Sequence, residues 1–102
     1  MALKLTYFDI WGRAEGARMT AGCGGVEFED NRLPSMEAWG ALKASGFSPS
    51  GQIPVLEVGD VKLTQSHAMV RFFGKKGGLY PEDALAAAKV DMLIFQFEDT
   101  CK

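Results

Sequence analysis

Over residues 3–8 side chains alternate between two sides, with Leu3, Leu5 and Tyr7 on one of them, and this period of two predicts a β-strand. After a turn over residues 9–12, small apolar residues recur at helical spacing over residues 13–21, which predicts a helix. The glycine-rich run at residues 22–25 ends that helix, and a second alternation predicts a strand over residues 26–31. A strand, a helix and a second strand in this order predict two parallel strands joined by a right-handed crossover.

The pattern that follows predicts a helix, a hairpin and another helix. The first helix covers residues 35–44, and two short apolar runs at residues 55–58 and 61–63 flank Gly59-Asp60, a pair typical of a tight hairpin. Ser66 is predicted to cap a helix that runs to about Lys75. The whole order predicts an α/β fold of the thioredoxin-like βαβ-α-ββα type, with helices covering a mixed four-stranded sheet.

The last segment, residues 83–102, contains neither Gly nor Pro and predicts one long helix that begins after Pro81. Its apolar positions fall on two sides, with Met92 and Phe95 opposite a broad face formed by Val90, Leu93, Ile94 and Phe97. One small sheet covers at most one of these sides. We therefore expect a sheet domain over residues 1–79, and over residues 80–102 the first helix of a truncated helical domain or a helix that another chain completes.

Composition and charge argue against several classes of protein. The chain has 102 residues, of which 47% are hydrophobic, and a formal net charge of −2, which disfavours both a disordered chain and a nucleic-acid-binding surface. No apolar run reaches the roughly 18–20 residues of a membrane helix, and the N-terminus lacks the features of a signal peptide. Cys23, Cys101 and the single histidine, His67, have no metal-site or redox spacing, so we expect no metal and a reducing, cytoplasmic environment.

Candidate chemistry collects at the carboxyl ends of the predicted strands, where open α/β sheets bind ligands. Tyr7 lies near the end of the first strand, Ile53-Pro54 precedes the third, and Gln65-Ser66 leads into a helix whose N-terminus favours an anion. Each signal alone has an ordinary alternative. Tyr7 could be a core aromatic residue, Ser66 a plain helix cap, and the Ile53–Pro54 peptide bond trans, as most such bonds are.

Several motifs follow one another along nearly the whole chain. They are Tyr7-Phe8-Asp9-Ile10-Trp11-Gly12-Arg13-Ala14-Glu15, Trp39 with Lys43, Gly51-Gln52-Ile53-Pro54-Val55-Leu56, Gln65-Ser66, Val90-Asp91-Met92 and Glu98-Asp99. In this order they resemble the N-terminal half of the cytosolic glutathione transferases of the tyrosine type. Lys4-Leu5-Thr6-Tyr7-Phe8 is similar to the sigma class, whereas Leu42-Lys43-Ala44-Ser45 and Gly78-Leu79-Tyr80 are similar to the pi class.

The resemblance implies a role for each matching position. Tyr7 would donate a hydrogen bond to the glutathione sulfur and favour the thiolate, since a free thiol has a pKa of about 8.5. Arg13 would support that tyrosine and the site. The remaining residues would bind the tripeptide: Trp39 and Lys43 its glycine end, Gln52 and Ile53 with a cis Pro54 its cysteinyl residue, Gln65 and Ser66 its γ-glutamyl carboxylate, and Asp99 the γ-glutamyl amine in the neighbouring subunit of a homodimer.

The resemblance implies a cytoplasmic detoxification enzyme whose partners are glutathione, as co-substrate, and a small hydrophobic electrophile. Isomerisation and peroxide reduction are related uses of the same thiolate. A second hypothesis is a non-catalytic structural protein of the same fold, similar to the sigma-like lens crystallins. Thiol–disulfide exchange is disfavoured, because Trp11-Gly12-Arg13 stands where a reactive cysteine would be needed. Cys23 lies at the far end of that helix and is interpreted as a small hydrophobic residue.

Overall fold

The computed structural model describes residues 2–100, apart from the side chains at positions 97, 98 and 100. The predictions for Cys101, for Lys102 and for the side chain of Phe97 lie outside the described residues. The elements, in chain order, are β1 (Leu3–Phe8), a 3-10 turn (Gly12–Ala14), α1 (Glu15–Cys23), β2 (Glu29–Leu33), α2 (Met36–Ala44), β3 (Val55–Val58), β4 (Val61–Thr64), α3 (Ser66–Lys76) and α4 (Ala84–Thr100).

The four strands form one mixed sheet in the order β2-β1-β3-β4, which confirms the predicted architecture. β1 runs parallel to β2 and antiparallel to β3, and β3 continues into β4 as an antiparallel hairpin. The core lies between β1, β3, α1 and α3, where the side chains of Leu5, Leu56, Met69 and Phe73 are fully buried. Buried alanines of α1 complete this core and let the helix lie close to its neighbours.

The prediction for β2 was wrong in its position, since the strand covers Glu29–Leu33 rather than residues 26–31. Pairing with β1, from Lys4 opposite Glu29 to Phe8 opposite Leu33, sets these bounds. Val26 and Phe28 still pack against the core, but from the segment before the strand. The first helix also differs, because a 3-10 turn over Gly12–Ala14 precedes α1 and α1 extends to Cys23.

Two glycines let the ends of α1 and α3 approach each other at the backbone. A Cβ atom on Gly24 would lie 2.9 Å from the Cα of Gly77, and one on Gly77 would lie 2.8 Å from the Cα of Gly24. Both distances are too short for non-bonded carbon atoms, so each position requires glycine. This contact gives a packing reason for one member of the glycine-rich run that ends α1.

α4 packs against α3, and polar bonds to Asp91 tie it to the rest of the molecule. The Tyr80 hydroxyl donates to Asp91 Oδ1 at 2.7 Å, and Arg71 Nε lies 3.3 Å from the same oxygen. A groove of about 480 Å³ separates α4 from α1, and Val90, Leu93 and Ile94 line it. These three residues belong to the predicted apolar face, but Leu93 is exposed there, as Met92 and Phe95 are on the other side of the helix.

Cys23, interpreted from the sequence as a small hydrophobic residue, is a free thiol at the surface. It is the last residue of α1, lies at the same groove and is solvent-exposed.

Among the described residues, no helix combines the length and the apolar character needed to cross a membrane.

Candidate active site

A cleft of about 490 Å³ lies at the carboxyl end of β1 and brings the predicted residues together. Every predicted site residue except Asp99 lines it: Tyr7, Arg13, Trp39, Lys43, Gln52, Ile53, Pro54, Gln65 and Ser66. The structure adds lining residues that were not assigned a role from the sequence, namely Phe8, Ser50, Gly51 and Thr64. Asp99 lies in the last turn of α4, is exposed and does not line the cleft. Its predicted role concerns a second chain and stays a prediction.

Tyr7 combines the two interpretations that the sequence left open. Its side chain is only 8% exposed and belongs to the hydrophobic core, yet the residue also lines the cleft. The hydroxyl oxygen accepts a hydrogen bond from the backbone N–H of Arg13 at 3.3 Å. Because a phenol carries one proton as well as acceptor lone pairs, the hydroxyl can accept this bond and still donate its own proton. A tyrosine in this setting can stabilise an anion in the cleft.

The segment before β3 reaches the cleft beside Tyr7. The Ile53–Pro54 peptide bond is cis, as the resemblance implies, and the trans bond expected from general frequencies is not found. Pro54 is buried and leads directly into Val55, which pairs with Thr6 of β1. The backbone of Ile53 is therefore held at the end of the same strand that carries Tyr7.

α2 places an aromatic residue and a cation at the cleft. The Ser35 side chain caps this helix by accepting a hydrogen bond from the Ala38 N–H at 3.1 Å. Trp39 and Lys43 are one helical turn apart and lie on the same side of the helix. Trp39 is buried, whereas Lys43 is exposed at the cleft.

The prediction that Ser66 caps α3 was wrong. Gln65 occupies the cap position, without a side-chain hydrogen bond to the helix, and Ser66 is the first helical residue. The turn from β4 gives Gln65 a φ of 74°, a left-handed conformation that costs a residue with a side chain about 1–3 kcal/mol and is frequent at functional sites. The first turn of α3 nevertheless lies at the cleft, and a helix N-terminus provides unpaired N–H groups for an anion.

Arg18 supports the cleft from behind and was missed by the sequence reasoning. Its side chain is 5% exposed, and its guanidinium donates to the carbonyl oxygens of Phe8 at 3.0 Å and Ile10 at 2.7 Å. It also pairs with Glu15 at 3.3 Å and Asp30 at 3.2 Å. The guanidinium therefore fixes the loop between β1 and α1, directly after Tyr7.

A signal for Arg18 was present in the sequence. The residue lies four positions after Ala14 and three before Ala21, so it shares a helix side with alanines that are buried. An arginine at such a position must find several acceptors, because a buried cation without partners is strongly unfavourable.

Within residues 2–100, no three His, Cys, Asp or Glu side chains are grouped in a way that could hold a metal ion.

Comparison with known proteins identifies a matching family and relatives of similar sequence. Residues 3–74 match the family described as "Glutathione S-transferase, N-terminal domain". The chain is 48% identical over 96 residues to glutathione S-transferase 1 of Ascaris suum, a match that spans 94% of this chain and 45% of that protein.

Solved structures of glutathione S-transferases also resemble the chain over nearly its whole length. A nematode-specific glutathione S-transferase of Caenorhabditis elegans superposes with a TM-score of 0.86 at 41% identity, over 96% of this chain and 47% of that one. A glutathione S-transferase of the hookworm Necator americanus, described as monomeric, gives a TM-score of 0.85 at 42% identity, over 97% and 47%. The chain thus spans about half the length of the relatives it matches.

Proposed function

Because the chain belongs to the glutathione S-transferase family, we propose that it binds glutathione in the cleft at the end of β1 and activates the thiol for transfer to an electrophile. The observation that carries this proposal is the position of Tyr7. Its ring is anchored in the core, and its hydroxyl is held by the Arg13 N–H at a cleft that the other predicted glutathione-binding residues also line.

The charge of the cleft suits this ligand. Among the described residues that line it, the side chains with a formal charge are those of Arg13 and Lys43, and both are cations. Glutathione carries two carboxylates and one ammonium group at neutral pH, so its net charge is negative. We place the γ-glutamyl carboxylate at the first turn of α3, beside Gln65 and Ser66, because the helix N-terminus supplies N–H donors and a favourable dipole.

The rest of the tripeptide would then extend across the cleft. The cysteinyl residue pairs with the backbone of the segment that contains Gln52 and Ile53, through the backbone groups of Ile53, in the manner of a peptide added beside a strand. The glycine end reaches Trp39 and Lys43 on α2. This orientation leaves the sulfur near the end of β1, where Tyr7 is held.

In the proposed chemistry, the Tyr7 hydroxyl donates a hydrogen bond to the sulfur and stabilises the thiolate, while the thiol proton leaves to solvent. Each unit by which the pKa of the thiol falls corresponds to about 1.36 kcal/mol of preferential stabilisation of the anion. The thiolate then attacks the electrophilic carbon, a sulfur–carbon bond forms, and the leaving group departs with its electron pair. Arg13 supports Tyr7 through its backbone N–H.

The wider roles implied by the resemblance are part of the same proposal. We propose a cytoplasmic homodimer that conjugates small hydrophobic electrophiles in detoxification, in which Asp99 of one chain reaches the γ-glutamyl amine held by the other. Residues 1–79 would form the glutathione-binding domain, and residues 80–102 would begin a helical domain. The hookworm relative described as monomeric makes the oligomeric state a question for sedimentation, in which a strict monomer would exclude the role of Asp99.

The test compares the wild-type protein with Tyr7→Phe and uses Tyr80→Phe as a matched control. Tyr80 also carries a bonded hydroxyl, but it donates to Asp91 and does not line the cleft. The measurements are retention on immobilised glutathione, the ultraviolet absorbance of the bound thiolate, and conjugation of a chlorodinitrobenzene-type electrophile.

We expect all three proteins to be retained on the resin. Only Tyr7→Phe should lose the thiolate band, and it should conjugate at least about tenfold more slowly, the effect of one pKa unit. An unchanged thiolate band and turnover in Tyr7→Phe would remove Tyr7 from the mechanism. Retention of the wild-type protein with neither thiolate nor turnover would instead support the non-catalytic, crystallin-like role.

A further inference from the structure

The Ser48 side chain closes a small ring of hydrogen bonds just before the segment proposed to pair with glutathione. Its hydroxyl donates to the carbonyl oxygen of Gln52 at 2.5 Å and accepts from the backbone N–H of the same residue at 3.1 Å. The Ser48 carbonyl also accepts from the N–H of Gly51 at 3.1 Å. Ser48 is 9% exposed, although its neighbours Pro49 and Ser50 are exposed.

The sheet holds the loop at the residue before Ser48. Lys62, in β4, donates from Nζ to the Phe47 carbonyl oxygen at 2.7 Å and lies 4.4 Å from the centre of the Phe47 ring. Lys62 is itself part of the hairpin, where it pairs with Glu57 of β3. The residue before Ser48 is therefore bonded to the sheet, and from this position the Ser48 hydroxyl can orient the backbone of Gln52.

We propose that Ser48 is a positioning residue for the binding of glutathione, a role that rests on the proposed function and deepens it. The N–H of Gln52 lies in the peptide plane before this residue, and its carbonyl lies in the plane after it. Holding both groups fixes the two backbone torsions of Gln52. In a trans peptide the carbonyl of one residue and the N–H of the next point in opposite directions. With the Gln52 carbonyl turned toward Ser48, the N–H of Ile53 is turned away from it.

This geometry matters because Ile53 lines the cleft and its backbone is proposed to pair with the cysteinyl residue. A peptide ligand that binds through backbone hydrogen bonds needs the protein's donor in the correct direction before it arrives. Without the Ser48 hydroxyl, Gln52 would lose a donor and an acceptor that come from one side chain, and the Ile53 N–H would sample several directions. Ser48 thus acts through Gln52 and Ile53 and touches no reacting atom.

The test compares Ser48→Ala and Ser48→Thr with the wild-type protein, with Ser45→Ala as the matched control. Ser45 lies in the same loop and its hydroxyl also bonds a backbone carbonyl, that of Leu42 at 2.5 Å, but it does not line the cleft. Calorimetric titration gives the Kd for glutathione, steady-state kinetics separate KM from kcat, and thermal melting reports stability. Hydrogen exchange of the Gln52 and Ile53 amides is followed in the ligand-free proteins.

We expect Ser48→Ala to raise the Kd and the KM for glutathione about tenfold, with kcat at saturating glutathione unchanged, as misplacement of a binding group predicts. Ser48→Thr retains the hydroxyl and should restore binding to within about threefold, and Ser45→Ala should bind as the wild type does. A purely structural role would lower the melting temperature of Ser48→Ala without changing the Kd of the folded protein, and that result would overturn the inference.

Two further outcomes separate this inference from the proposed function. If the wild-type protein binds glutathione and Ser48→Ala binds it equally well, the inference fails and the proposed function stands. If the wild-type protein binds no glutathione, the proposed function fails and the role of Ser48 fails with it. Should Ser48→Ala not fold, the premise is still tested in the wild-type protein, because a Gln52 amide that exchanges as fast as an unbonded one would contradict the ring of hydrogen bonds and overturn the inference.

Discussion

A Cβ atom on Gly12 would lie 2.7 Å from the hydroxyl oxygen of Tyr7 and 3.0 Å from its Cε2 atom. The two residues fit together only because Gly12 has no side chain. The Tyr7 ring is packed in the core and cannot move aside at low cost. Gly12 therefore sets the space in which the hydroxyl sits and the start of the 3-10 turn whose next amide, that of Arg13, donates to it.

Gly12→Ala should reduce conjugation strongly, because the new methyl group displaces the Tyr7 hydroxyl. Part of its effect is unrelated to that contact, since Gly12 has a φ of 47° and alanine in this region costs about 1–3 kcal/mol of stability. Gly25→Ala is the matched control, because Gly25 also has a positive φ, of 65°, but a Cβ atom added there would meet nothing within 4 Å. Chemical unfolding should show destabilisation in both variants, larger in Gly12→Ala because of the added contact with Tyr7, and only Gly12→Ala should lose thiolate formation. Full activity in Gly12→Ala would show that the Tyr7 hydroxyl can take another position in which it still stabilises the thiolate.

Arg18→Met should lower the free energy of unfolding by about 3 kcal/mol, because it leaves the Phe8 and Ile10 carbonyls and two carboxylates without their buried donor. Arg32→Met is the matched control. Arg32 bonds the same carboxyl group as Arg18, that of Asp30, but on the exposed side of the molecule. The hydrogen bonds that Arg32 donates to Asp9 and Asp30 raise the pKa of its guanidinium, yet exposed pairs contribute little to stability.

Urea denaturation at neutral pH measures how the two arginine variants differ in their free energy of unfolding. We expect the midpoint of Arg32→Met to lie close to that of the wild type and the midpoint of Arg18→Met to fall well below it. Equal losses would mean that the bonds to the two backbone carbonyls add nothing to the contribution that Arg18 makes through its carboxylate partners.

Ser35→Ala should destabilise the protein by about 1 kcal/mol, the usual effect of removing a side-chain cap. Ser35→Asp should retain the cap, because a carboxylate can accept the same bond from the Ala38 N–H and also favours a helix N-terminus. Since α2 carries Trp39 and Lys43, the alanine variant should also bind glutathione more weakly in calorimetric titration. Loss of binding in Ser35→Asp as well would indicate that the hydroxyl has a role other than capping.

The elements that the sequence predicted well are those with a strong local pattern. β1 has a period of two at Leu3, Leu5 and Tyr7, and the hairpin of β3 and β4 has Gly59-Asp60 at its turn, so local chemistry defines both. β2 was misplaced because its residues, Glu29 to Leu33, are mostly charged or polar and carry no alternation to read. Its bounds come from pairing with β1, which is a tertiary effect.

The candidate site, like the fold, could be predicted from the sequence only in part. No single signal at Tyr7, Ile53-Pro54 or Gln65-Ser66 pointed to one site, whereas their order along the chain predicted one, and the fold brings these residues to one cleft. Arg18 and Ser48 were missed because their roles depend on acceptors and donors that only the folded backbone presents. The capping prediction for Ser66 failed by one position, since the left-handed turn at Gln65 is set by how β4 meets α3.

The backbone contact between Gly24 and Gly77 also restricts how the sequence can change over time. At most tightly packed pairs, a larger residue on one side can be accommodated by a smaller one on the other. Here both partners are already the smallest residue, and each would collide with backbone rather than with a side chain that could shrink. No compensating substitution exists at the partner position. The two sites can therefore accept a side chain only if the ends of α1 and α3 move apart.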